Sequence, residues 1–507
     1  MKQSIIYKFI PILLLSSLVF FIQNHLYLNR DVAFLLHITK IMLEGQTYSQ
    51  YFFEPNPPLI LYLQMPVVIL SKLTSIDILY IFRLYIICLI LLSIACSHYF
   101  IKKLFTGNTL LTYAIFYILS YIFLILPADQ FAQREHLAII FVIPYLFSVA
   151  SHLEIKNITS NFYILLFVGT LAGLGFAIKP HFLPALILVE LYFTYKTGQF
   201  LGWVRTETIM ITAILIFYPM TTFIMYPDYF HIVLPLWTPY YTAIAHPLSY
   251  VFLAHELTFC YIAVLLYLIT RRIDHYKTTS SVFILAELGF IITFYIPRVT
   301  WYYHALPALS MALLLVTLLL GQLVQQHAKT QYRILLPILI GIFIFMSPFL
   351  ISLSSTYKSM KYFQAERTWS QLVAFMKNLG PNNSFDYFSV SHELCLLEYY
   401  AHANFVGSFP YFVWEYNRPL LKYRPTKYAY IYQVKTVPYI INRLASNISD
   451  HKPKYIIVDA LAAKLLMGTN LNYLKELSQS TIFQAVWKPY QYLTSINQYQ
   501  IYKRNER

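Results

Sequence analysis

Long runs of apolar residues, almost free of charge, recur along the chain from near its start to about Leu353. They lie near 9–27, 78–101, 109–127, 137–153, 162–178, 181–196, 208–226, 250–270, 280–297, 304–323 and 333–353. The longer ones meet the roughly 18–20 residues that a helix needs to cross a hydrocarbon core. Backbone amides cannot be left unpaired in lipid, so the runs predict helices packed on one another. One further apolar stretch, Pro57 to Leu70, is about 14 residues long, carries Pro66 and opens on Pro57-Pro58. That length suits an interfacial or re-entrant helix better than a span.

From about Thr356 the pattern changes. Charged, Asn and Pro residues return, and no later segment is long enough to span. The run Lys454 to Val458 reads as a buried strand, preceded by Pro453 and a helical stretch near Ile440–Asn447. Asp386 to Val390 and the Tyr-rich runs around Val486–Leu493 and Gln498–Tyr502 also predict strands. The expected organisation is a membrane-embedded domain over 1–353 and a small α/β domain over 354–507.

Composition supports the membrane reading: 58% of residues are hydrophobic and only 12% charged, about half the charge of a soluble domain. A net charge of +15 would suit nucleic acid if it formed a stripe. The basic residues instead gather in short loops, where they report orientation to a lipid bilayer. No nucleic-acid partner is expected. With a cytoplasmic N-terminus and Pro57–Leu70 not crossing, the cytoplasmic loops hold Lys102-Lys103, Lys156, Lys196 with Arg205, Arg271-Arg272 with Lys277, and Lys329 with Arg333. If that stretch crossed, all of these clusters would face outward. Eleven spans then leave the C-terminus outside. The first run follows Lys2 and Lys8, but it is too long for a signal-peptide core and no small-x-small site follows, so it predicts a retained span. Cys88 and Cys96 would lie about 12 Å apart along one helix, too far for a disulfide. Cys260 and Cys395 stand alone, and no cysteine spacing suggests a metal site.

This topology puts the unusual polar residues on the external face. Asn29-Arg30-Asp31 opens the first external loop, and Val32, Leu35, Leu36, Thr39, Met42 and Leu43 then fall at helical spacing up to Glu44-Gly45. They predict a short amphipathic helix on the outer surface, with Gly45 at its C′ position. Asp31 suits either a chemical role or a helix-start acid that complements the dipole. The loop continues Glu54-Pro55-Asn56-Pro57-Pro58-Leu59. The second loop carries Asp129, Arg134, Glu135 and His136 at a span boundary, where such residues are costly to bury. Lys179-Pro180-His181 sits between two spans, where the lysine could also snorkel. Arg298 precedes Tyr302, Tyr303 and His304 at another boundary. Three acids lie inside spans: Glu190, Glu256 beside His255 toward the outer side, and Glu287, expected to pair with a neighbouring helix.

The order of an acid starting a surface helix, a glycine closing it and a Pro-Pro-Leu lead-in resembles the C superfamily of membrane glycosyltransferases (GT-C). Within it the chain looks like the protein O-mannosyltransferases, the aminoarabinose transferases acting on lipid A, and related bacterial lipopolysaccharide glycosyltransferases. The resemblance covers roughly residues 1–325. It implies a polytopic α-helical membrane protein of about 11 transmembrane helices plus external juxtamembrane helices, with a small C-terminal external α/β domain. It also implies a multi-pass protein of the bacterial inner (plasma) membrane, with that domain in the periplasm. The implied reaction moves sugar from a polyprenyl-phosphate carrier to a lipid, glycan or protein acceptor at the external face, with inversion.

In those families an Asp, often followed by Glu, starts the first external surface helix, and a second acid lies in the second loop. Asp31 and Glu135 are the matching catalytic residues, with Asp129 the alternative to Glu135. Lys179, Arg298 and Arg134 are candidate donor-phosphate partners, and Asp129, His136, Glu54, Asn56, Glu256, Tyr302 and His304 are candidate substrate-binding residues. Two positions depart from the pattern. Val32 stands where the second acid is common, and Asn56 where a cation often precedes the prolines. A lipid phosphate is already a good leaving group, so the chemistry needs a base, worth about 10²–10⁴-fold, and fixed cations for the developing charge. The sequence identifies no certain cofactor. A divalent cation stays open, because two separated carboxylates do not define a site. The rival readings are a lipopolysaccharide ligase or polymerase using lipid diphosphate donors, and a transporter or flippase. Transporters commonly show repeated halves and mid-membrane polar groups, and neither is evident in this sequence.

Overall fold

The protein is described from a computed structural model covering residues 2–49, 51–155, 159–327, 350, 353–354, 367–381, 383–389, 393–407, 437–461 and 472–505. In chain order its helices are α1 Lys2–His25, α2 Arg30–Leu43, α3 Leu59–Thr74, α4 Ile78–Leu104, α5 Thr109–Leu124, α6 Arg134–Glu154 and α7 Phe162–Ala177. There follow α8 Leu183–Thr197, α9 Thr206–Met225, α10 Leu234–Ile244, α11 Leu248–Phe252, α12 Thr258–Thr270, α13 Lys277–Tyr295 and α14 Tyr302–His327. A helix stands at each of the first ten predicted spans. The eleventh, 333–353, lies almost wholly outside the described residues. Among the described residues six helices are long and apolar enough to cross a bilayer, or up to eight when two bent pairs each count as one span. These are the helices of a multi-pass membrane protein. The pair 162–177 and 180–197 bends by 117° at the Lys179-Pro180 break.

The chain divides into two compact units. The first comprises Met1–Tyr27, Ile76–Thr221 and His246–Ser359. At its centre are α6 and α14, with 89% and 83% of their apolar windows buried, whereas only 17% of the α9 window is. The exposed Ile216, Phe217, Phe223 and Ile224 give α9 a lipid-facing surface. Small residues allow close helix approach. A Cβ on Gly169 would lie 2.5 Å from the Glu207 Cα, and one on Gly289 would lie 2.3 Å from the Ala185 Cα. Glu190, one of the in-span acids, pairs with Arg205 at 2.7 Å and accepts from the Tyr145 hydroxyl.

Glu287 corrects an expectation. It is fully enclosed, and neither oxygen has a hydrogen-bond partner among the described residues. The adjoining α14 has only Ser310 and Thr317 between Ala305 and Leu320. Both hydroxyls donate back along their own helix, to the Leu306 and Leu313 carbonyls at 2.7 Å each, so neither is left for Glu287.

The second unit comprises Leu28–Ser75, Thr222–Ala245 and Met360–Arg507. In it α2 starts where the Asn29 side chain accepts the Asp31 amide at 3.0 Å, and Gly45 follows its end at φ +86°, the expected C′ glycine. The expected surface helix is more enclosed than its pattern suggested. Val32 through Thr39 are all buried, because α3 covers one side and the turn Glu393–Leu396 another. The described C-terminal strands form one sheet in the order β2-β1-β3-β5-β4: β1 Ser384–Phe388, β2 Asn404–Phe405, β3 Tyr455–Asp459, β4 Tyr490–Ile496 and β5 Tyr499–Arg504. β1 is parallel to β2 and β3, and β5 is antiparallel to β3 and β4. Four strands fall on the predicted runs, while the two-residue β2 was not anticipated. The helix Val437–His451 buries Ile440, Leu444 and Ile448, one side of its 3.6-residue repeat, before the chain enters β3.

Candidate active site

Three helix ends meet in the first unit and gather charged side chains that are far apart in sequence. Before α6 the chain takes a left-handed step at Ala132, φ +67°. His136 secures that step. Its Nδ1 accepts the Ala132 amide at 2.9 Å and its Nε2 donates to the Phe123 carbonyl at 2.9 Å. Both ring nitrogens are thus committed to backbone, so His136 shapes the loop and leaves no ring atom for a substrate. The first turn of α6 then presents Arg134 and Glu135. At the second end, Lys179 is extended and Pro180 starts a tight turn into α8. The Thr293 hydroxyl holds this turn by donating to the His181 carbonyl at 2.6 Å. At the third, Tyr302 donates to the Leu126 carbonyl at 2.7 Å, and His304 follows in the first turn of α14.

Glu135 is the hub. It has no exposed surface, while Lys179, His304 and Arg134 are 7%, 6% and 8% exposed. Lys179 Nζ lies 2.5 Å from Glu135 Oε1, and His304 Nδ1 lies 3.5 Å from the same oxygen. The Lys179 ammonium also sits 5.6 Å from the centre of the Tyr303 ring. A buried lysine–glutamate pair is retained only when the Coulomb gain offsets desolvation.

Glu135, His181 and His304 each offer a ligand atom, all within 4.8 Å of one another. Glu135 Oε2 and His181 Nε2 have no hydrogen-bond partner among the described residues. A mixed imidazole and carboxylate donor set suits zinc and similar dications, so these residues fit a divalent cation, with Lys179 sharing the carboxylate. His181 was quoted in the sequence without a role, and Tyr303 likewise. The usable signal was a histidine beside the Lys179-Pro180 break and a second one, His304, at another span boundary.

In the second unit Asp31 occupies the first turn of α2, partly exposed. Glu54 is buried and accepts from the Asn56 amide at 2.9 Å and from the Asn56 side chain. Tyr48 donates to the Asn56 carbonyl at 2.7 Å and Tyr229 to the Pro55 carbonyl at 2.9 Å. Asn56 therefore closes a hydrogen-bonded turn. Three further predicted residues make contacts outside the Glu135 group. Arg298 is exposed in a left-handed turn, φ +54°, its carbonyl accepting the His246 amide at 2.8 Å. Glu256 pairs with the exposed His255 at 3.4 Å. Asp129 accepts from Gln130 at 2.8 Å.

No family model matches the chain, and no curated protein matches its sequence. Its fold does match. ArnT from Cupriavidus metallidurans bound to undecaprenyl phosphate superposes with a TM-score of 0.55 over 97% of both chains at 10% identity. The apo state of the same protein gives 0.55 over 97% of both at 11%. The oligosaccharyltransferase of Archaeoglobus fulgidus, in complex with zinc and sulfate, gives 0.44 over 94% of this chain and 69% of that one at 13%. The chain shares its fold with ArnT over nearly the whole length of both chains. ArnT, which it resembles in this way, is an aminoarabinose transferase.

Proposed function

We propose that this protein is a glycosyltransferase that moves sugar from a polyprenyl-phosphate carrier to a lipid, glycan or protein acceptor at the external face of the bacterial inner membrane. The observation that carries this reading is the buried Lys179–Glu135 pair with Arg134 and His304, at the meeting of three helix ends in a GT-C fold. The fold relative ArnT was solved with undecaprenyl phosphate bound.

In this reading Asp31 takes the proton from the acceptor hydroxyl as its oxygen bonds to the anomeric carbon. The bond from that carbon to the carrier phosphate breaks, the phosphate leaves with the electron pair, and the centre inverts. Lys179 and Arg134 hold the phosphate as its charge grows, and Arg298 adds a cation from its exposed turn. Glu135 is fully enclosed and already bonded to Lys179, which supports a role in holding Lys179 and His304 rather than in taking a proton. A divalent cation on Glu135, His181 and His304 would supply further fixed positive charge. Tyr302 and the Glu54–Asn56 turn support the neighbouring loops.

The test uses the purified full-length protein, with the polyprenyl-phosphate-sugar fraction of the source cell's membranes as donor and undecaprenyl phosphate as binding probe. Asp31→Asn is expected to cut turnover by about 10²–10⁴-fold while carrier affinity stays. Lys179→Ala is expected to weaken carrier binding roughly ten- to hundred-fold, the loss of a charged hydrogen bond from a dry site. Wild-type turnover in Asp31→Asn would remove it as the base, and unchanged affinity in Lys179→Ala would remove the phosphate site.

A further inference from the structure

The segment Glu393–Tyr400 of the C-terminal region grips α2 through side chains that no packing requirement alone would select. Glu398 is the centre of the grip. Its Oε2 accepts from His37 Nδ1 at 2.8 Å and its Oε1 from Lys40 Nζ at 2.6 Å, with the glutamate side chain only 11% exposed. Burial pushes the Glu398 carboxyl up, but the charges and hydrogen bonds of His37 and Lys40 outweigh it and hold the group at about 2. Around it, Tyr399 donates to the Ala33 carbonyl at 3.0 Å, Tyr400 accepts the Leu28 amide at 2.8 Å, and Arg30 pairs with Glu393 at 2.8 Å.

The arrangement has a direction. At 3.6 residues per turn, Lys40 lies nine residues from Asp31, about two and a half turns, and so on the opposite side of the helix. His37 flanks that side. We propose that Glu398 is a positioning residue for the transfer reaction: it holds α2 by the side opposite Asp31 and so fixes the rotation and height at which the Asp31 carboxylate is presented. The inference rests on the reading of Asp31 as the base. Two charged hydrogen bonds to one carboxylate define a single setting of the helix within its packed surroundings. Misplacing a reacting group by roughly 1 Å costs about a hundred-fold in rate.

Removing Glu398 alone would leave His37 and Lys40 without their shared carboxylate, so the decisive variant replaces the whole group by apolar residues, His37→Leu with Lys40→Met and Glu398→Met. Such replacement of a buried ion pair commonly leaves stability equal or higher. With the membrane donor fraction, this variant is expected to keep its melting temperature and its affinity for undecaprenyl phosphate while turnover falls ten-fold or more, on the order allowed by that misplacement. Added to Asp31→Asn, the triple change should lower turnover no further, because it acts through Asp31. Wild-type turnover in the triple variant, or a full additional loss in the Asp31→Asn background, would overturn the clamp and leave the base reading standing. Wild-type turnover in Asp31→Asn by itself would overturn the base reading and this inference with it.

Discussion

Glu135 and Glu287 are both completely enclosed carboxyl groups on apolar helices, and their surroundings separate them. Glu135 sits at a helix start where Lys179 and His304 reach it. Glu287 sits mid-helix with no partner among the described residues. The difference follows position: span ends can collect cations from adjoining turns, and mid-span neighbours carry almost no donors. Outside the membrane, Asp386 on β1 gives a titratable counterpart. Burial raises its carboxyl from 3.8 to about 6, although the Tyr387 amide, Asn447 and nearby His37 all pull it down. A group raised in the folded state stabilises fully below its unfolded value, and that contribution is lost as pH climbs through the folded value. Stability from Asp386 should therefore decline between about pH 4 and 6. In Asp386→Asn this decline disappears, and the difference in melting temperature between the two proteins should shift in the variant's favour across that window. A difference that stays flat with pH would mean Asp386 is ionised at both ends.

The elements carry the side chains into place through close approaches that no polar residue announces. α13 meets the start of α8 at Gly289, where an added Cβ would fall 2.3 Å from the Ala185 Cα and 2.5 Å from its nitrogen. The contact is backbone on backbone, so no side chain can swing aside. One turn further along α13, Thr293 holds the His181 carbonyl. Gly289→Ala should thus destabilise by about 1–3 kcal/mol as the helices part. It should also lower turnover, because the Lys179–His181 turn moves with α8. A variant with the wild-type melting temperature would show that the helices can separate freely. The α2 pattern illustrates what periodicity does and does not say. Val32, Leu35, Leu36, Thr39 and Met42 correctly marked a helix with one apolar side, and Gly45 marked its end. Its near-complete enclosure, His37 included, depends on residues some 360 positions later and left no local mark.

At the scale of the whole molecule, the placement of Lys and Arg in short loops predicts a cytoplasmic N-terminus and an external C-terminal region. In a cysteine-free background, a membrane-impermeant thiol reagent applied to spheroplasts should label Lys488→Cys and spare Lys102→Cys; both are exposed positions. The reverse pattern would invert the topology and with it the face on which the chemistry is proposed. The positions of the helices were readable in the sequence because lipid leaves the backbone one local solution, and a long uncharged run therefore states its own structure. The strands β1, β3, β4 and β5 were readable for a similar reason, as short buried or Tyr-rich runs between turn residues. The sequence also supplied the inventory of acids and cations at span boundaries. It did not determine which of them meet. Glu135, Lys179 and His304 come from three separated segments, and Arg298, equally prominent in the sequence, faces outward in a turn. His136 spends both ring nitrogens on backbone, and Glu398 reaches across 361 residues to His37. Those outcomes belong to the tertiary structure, because a side chain's partner is set by the rotation and depth of packed helices, which spacing along one chain segment does not specify.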